Sequence, residues 1–83
     1  MARRGRAALH VARQLGYHGV PVEAIEPNDI YHDPTTVDFR FADDAVADGA
    51  EEILSNGAAL SVFVAGYERS SPYHVRVHLA HLG

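Results

Sequence analysis

Hydrophobic and polar residues alternate most cleanly in two stretches of this chain, residues 36–42 and 73–80. Val37, Phe39 and Phe41 fall on one side of the first stretch, with Thr36, Asp38 and Arg40 on the other. In the second, Val75, Val77 and Leu79 oppose His74, Arg76 and His78. Side chains of an extended chain point to opposite faces in turn, so each stretch predicts a strand buried on one side. Residues 20–25 alternate more briefly. Val20, Val22 and Ala24 share one side, Glu23 and Ile25 the other, and Pro21 suits the start or the edge of a strand.

Two stretches follow a helical period instead. Over residues 3–15, Ala8, Val11, Ala12 and Leu15 share one face, with Gly16 read as the C-terminal stop. Asp43 or Asp44 is a natural N-cap for a second helix reaching about Ser55, with Val46, Ala50, Ile53 and Leu54 as its apolar stripe. Residues 55–66 carry no charge and form the most apolar window. There Asn56-Gly57 ends the helix, and Leu60, Val62 and Val64 alternate with Ser61, Phe63 and Ala65, which predicts the central strand of the sheet. Residues 26–29 read as a turn, 30–33 as a strand extension or an irregular loop, and 66–72 as a polar loop.

The predicted order is therefore helix, strand, strand, helix, strand, strand. Residues 34–42 and 72–80 align at a constant offset (72 − 34 = 38) with three identities and matched apolar positions. That suggests an αββ pseudo-repeat over about 3–42 and 43–82, although any two half-buried strands share the alternation. With or without duplication, residues 1–83 are expected to form one α+β domain. The expected architecture is a two-layer sandwich of four mostly antiparallel strands with both helices on one face.

Composition narrows the chemistry. The chain has 83 residues, 47% hydrophobic and 22% charged, which suits a single globular domain with a small core. It contains no cysteine, which excludes disulfides, thiolate nucleophiles and cysteine-based metal sites. It also contains no lysine, so a Walker A lysine, a Schiff base and a lysine general base are excluded. No serine sits in a nucleophile elbow, and Asp43-Asp44 and Glu51-Glu52 read as helix capping and a solvated helix face. No catalytic residue and no cofactor is expected.

Six histidines raise the question of a metal. His74, His78 and His81 would suit a shared ion on a helix, but alternation places them on a strand, where His74 and His78 stand about 13 Å apart. His32 with Asp33 is no stronger, and no metal site is expected. His10 and Arg13 interrupt what would be the apolar region of a signal peptide, and no apolar run approaches the roughly 20 residues of a membrane span. A cytoplasmic location without membrane attachment is expected.

Three surfaces stand out as candidates. Arg3, Arg6, His10 and Arg13 recur along one face of the first helix, a basic stripe whose leading arginines oppose the helix dipole. Asp44, Asp48, Glu51 and Glu52 form an acidic stripe on the second helix. The sheet face left uncovered by helices would carry Glu23, Ile25, Asp38, Arg40, Ser61, Phe63, His74, Arg76 and His78, and an exposed aromatic among charges marks an interface. Its bland alternative is a set of cross-strand pairs, Asp38 with Arg76 or Arg40, with Phe63 shielded by arginine stems.

These surfaces point to a small non-enzymatic interaction subunit in a homo- or hetero-oligomeric assembly, with an accessory, adaptor or virion-type structural role. Opposite-sign faces on one chain permit head-to-tail association. The alternative is nucleic-acid binding through the arginine-rich helix with Phe63 as a stacking platform. The net charge of −4 and the acidic second helix count against it.

Overall fold

A computed structural model of the chain describes residues 2–27, 35–56 and 63–80, with side chains from residue 6 onward. The elements are α1 (Ala2–Tyr17), β1 (Ala24–Pro27), β2 (Thr36–Arg40), α2 (Asp44–Asn56), β3 (Val64–Ser71) and β4 (His74–Leu79). The four strands form one antiparallel sheet in the order β1-β2-β4-β3. Ala8, Val11 and Leu15 of α1 and Ala47, Ala50 and Leu54 of α2 are buried in one cluster with Val37, Phe39, Val75, Val77 and Leu79. Both helices therefore cover the same sheet face, and the fold is the expected α+β sandwich.

The two central strands are the two that alternate most cleanly. Val37 lies opposite Val77 and Phe39 opposite Val75, and the 38-residue offset seen in the sequence exchanges these pairs with one another. The register of the central pair is thus symmetric about Asp38 and Arg76, which face one another. The edge strands do not follow that offset: Ile25 pairs with Phe39, whereas Val77, 38 residues after Phe39, pairs with Tyr67 and not with Phe63.

Three expectations fail against this architecture. The strand after α2 is not central: β3 begins at Val64, runs through residues expected to be a polar loop, and lies at the sheet edge. Its alternation was masked because Arg69 occupies an inward position, opposite the buried Val75. Residues 57–62, including Leu60, Ser61 and Val62, lie outside the described residues, as do His32, Asp33 and His81. The first strand is also displaced. It spans Ala24–Pro27, with Ile25 opposite the buried Phe39 and Glu26 opposite Asp38, so Ile25 lies on the helix side and not on the open face.

The third difference concerns the end of α1. The Val20 amide donates to the Leu15 carbonyl at 2.9 Å and the Gly19 amide to the Gly16 carbonyl at 3.0 Å. This bond pair, with Gly19 at φ 85°, is the Schellman stop. Val20 and Leu15, both buried, supply its hydrophobic contact. The terminator is Gly19, not Gly16, because the left-handed backbone belongs there. Gly19→Ala is expected to cost about 1–2 kcal/mol, the penalty for a Cβ in left-handed backbone. Gly16→Ala should instead gain about 0.5–1 kcal/mol. Urea unfolding of the two variants reads both signs, and equal effects would place the stop elsewhere.

Candidate interaction surfaces

The open sheet face is built by alternation. Glu26, Thr36, Asp38, Arg40, Glu68, His74, Arg76 and His78 share it by register, so Arg40, His74, Arg76 and His78 stand where the sequence put them. They do not stand alone. Arg76 Nε donates to Asp38 Oδ1 at 3.1 Å, with Glu68 Oε2 at 3.8 Å from its Nη1. Glu26 bridges Arg40 at 3.4 Å and His74 Nε2 at 3.1 Å. His78 lies between Glu68 at 3.4 Å and the buried Thr36 hydroxyl at 3.1 Å. Each of the three carboxylates thus meets an arginine or an imidazole of the same face.

Phe63 is absent from that face. It sits just before β3, is partly buried against the core, and its ring centroid is 4.3 Å from that of His10 on α1. Placing it outward assumed that β3 alternation extends back through residue 63, but the strand starts at Val64. His10 leaves the basic stripe for the same contact: it is half-buried on the shoulder of α1 that meets Phe63.

The acidic face of α2 is divided by a residue the sequence did not single out. Arg69 reaches across from β3, and its Nη1 donates to Asp48 at 2.7 Å and to Glu51 at 2.6 Å. Its Nη2 donates to the Asp44 and Pro72 carbonyls, at 3.2 and 2.7 Å, and its Nε to the Ser71 carbonyl at 3.0 Å. The side-chain bonds to Asp48 and Glu51 hold its pKa above the ordinary arginine value. One guanidinium therefore ties α2 to the β3–β4 turn. Of the expected stripe, Asp48 and Glu51 are committed to this clamp, while the side chains of Asp44 and Glu52 are exposed.

A second unanticipated arrangement is the chain Ser71, His74, Glu26. Ser71 Oγ lies 2.6 Å from His74 Nδ1, whose Nε2 meets Glu26 Oε1 at 3.1 Å. The order of groups is that of nucleophile, base and orienting carboxylate. The same Ser71 oxygen accepts the Tyr73 amide at 3.2 Å, across the two-residue hairpin turn. That bond explains its position as turn fixation. Among the described residues, no group of three or more His, Asp or Glu side chains is arranged to hold a metal ion.

The outer face of α1 differs from the network on the sheet. Arg6, Leu9, Arg13 and Tyr17 are all exposed at helical spacing, with Leu9 at 44% and Tyr17 at 79%. Arg3 lies one turn earlier on the same helix, in a part where only the backbone is described. Among the described residues neither Arg6 nor Arg13 has an ion pair. Beside this face runs a groove of about 530 Å³ between α1 and β1. Leu9, Ala12, Arg13 and Gly16 line one wall, and Pro21, Val22, Glu23, Ala24 and Ile25 the other.

No family model, no curated protein and no solved structure matches this chain. Among the described residues no helix is long and apolar enough to cross a membrane.

Proposed function

We propose that the chain is a small non-enzymatic interaction subunit that engages a protein partner, in a homo- or hetero-oligomeric assembly, through the outer face of α1 and the groove beside β1. The observation that carries this reading is where exposed apolar surface collects. Of the four exposed large hydrophobic side chains among the described residues, Leu9 and Tyr17 belong to α1 and Ile25 to β1; the fourth is Tyr73. Tyrosine and arginine beside an apolar groove are the residue types that dominate binding energy at protein interfaces. The two other candidate surfaces are less suited, because charged groups of the sheet face pair across its strands and Arg69 already engages Asp48 and Glu51 of the acidic face.

The test is association of the purified chain, alone and with cell extract, followed by light scattering and affinity capture. Leu9→Asp with Tyr17→Ser is expected to abolish association, while Arg40→Ala on the open face leaves it unchanged. The reading fails if the wild type stays at 9.0 kDa and captures no protein that the double variant loses.

Nucleic acid is the competing outcome. It has lost Phe63 as a stacking platform, and it retains Arg6 and Arg13. Binding of that kind would weaken with salt at a slope of about −0.7 per arginine contact on a single strand. Arg6→Glu with Arg13→Glu would flatten that slope, and a flat wild-type response leaves the arginines to a protein partner.

A further inference from the structure

Gly16 has no task within the fold. The helix stops at Gly19, Gly16 has no positive φ, and a Cβ built on it would meet nothing within 4 Å. A glycine inside a helix weakens it relative to alanine, so its presence costs stability that the isolated chain does not recover. What the missing side chain leaves open is one wall of the groove between α1 and β1.

We propose that this groove is filled by α1 of a second copy of the chain, laid antiparallel across a twofold axis. The inference rests on the interaction reading above and names its partner. If the axis passes between positions 12 and 13, facing residues sum to 25, since 12 + 13 and 9 + 16 are equal. Leu9, exposed on one copy, then stands against the open wall at Gly16 of the other, and Ala12 allows the backbones to approach. The surface holds its own knob and its own hole, as an isologous contact requires.

Charge supports the same occupant. Arg13 lines the groove from α1 and Glu23 lines it from the segment before β1, and no ion pair joins them within one chain. A groove bearing one charge of each sign is complementary to its own rotated copy, where Arg13 of each chain meets Glu23 of the other. A strongly acidic or strongly basic partner would leave one of the two unmatched. The N-terminal arginines gain as well. α1 has no acidic residue in its first turn, so its start opposes its own dipole. In the antiparallel pair Arg6 lies beside position 19 of the facing chain, at the carbonyl end of that helix, where a cation is favoured.

The experiment is sedimentation of the purified chain from micromolar to millimolar concentration, with circular dichroism to follow helix content. The wild type is expected to reach twice its 9.0 kDa mass. Gly16→Trp should fill the groove, keep the helix content, and weaken the dimer tenfold or more. Because a tryptophan near a helix end is a large change, a charge swap supplies the second arm. Arg13→Glu alone and Glu23→Arg alone should each weaken the dimer, and the two together should restore it, which no purely structural role of either residue would produce. A monomer at millimolar concentration overturns the inference, as does a dimer indifferent to Gly16→Trp and to the swap. If the monomeric chain still captures another protein and Gly16→Trp abolishes that capture, the groove serves a different partner. The self-association is then wrong and the interaction reading stands. A monomer that captures nothing removes both.

Discussion

Phe39→Ala is expected to lower the unfolding free energy by about 3–5 kcal/mol, the range for truncating a buried phenylalanine. A domain of this size has roughly 0.05–0.15 kcal/mol per residue of total stability, so the variant should lose a large part of its stability and unfold at a clearly lower urea concentration. Phe39 is fully buried on β2, one of the two central strands, with Ile25 opposite it on one side and Val75 on the other. Among the described residues, Phe39 and Phe41 are the two aromatic rings in a buried apolar core otherwise made of alanine, valine and leucine. Small neighbours cannot collapse into the volume a ring leaves, so most of the cavity persists. Phe63→Ala should cost clearly less, since that ring is only partly buried, at the margin against His10. Urea titration of the two variants checks the order, and a Phe39 variant with an unchanged midpoint would mean that β2 is not central.

The contrast between those two phenylalanines shows what was legible in the chain. β2 and β4 could be read because each inward position is apolar and each outward position polar, so period and burial agree. Position 69 breaks that agreement. Arg69 points inward and is still satisfied, since Asp48, Glu51 and three backbone carbonyls accept its donors. Pattern reading treats an inward arginine as the end of a strand, so β3 was moved into the apolar window before it. Phe63 was carried onto the wrong face with that strand. The acidic residues of α2 are visible in the sequence, but their partner lies in a stretch whose polar pattern predicts a loop.

On α1 the period was right and the stop was wrong. Gly16 and Gly19 are equally plausible terminators by composition, and only the backbone at Gly19 distinguishes them. The groove was illegible for the same reason, since it depends on where β1 starts relative to α1. A shift of that strand moved Ile25 from the open face to the groove wall.

Asp38→Ala is expected to cost about 2 kcal/mol, the second large effect, and the value follows from what surrounds Arg76. The Arg76 and Asp38 side chains retain only 14% and 18% of their exposure, at the middle of the β2–β4 pairing. A hydrogen bond to a charged group contributes about 1.5–3 kcal/mol where it is largely removed from water. Removing the aspartate takes away this short contact, and the one with Glu68 at 3.8 Å is longer and more exposed. Arg40→Ala tests the opposite limit on the same face. Its pair with Glu26 is 46% and 39% exposed at 3.4 Å, and exposed pairs contribute about 0–1 kcal/mol. The cost of Asp38→Ala includes the penalty of separating two largely buried charged groups, so it overstates how favourable the pair is in itself. Replacing both residues together, Asp38→Leu with Arg76→Leu, should therefore recover most of the loss. Thermal unfolding of the single and double variants gives the coupling directly. A double variant as unstable as the sum of its parts would mean that the network on the open face is held by contacts other than the Asp38–Arg76 pair.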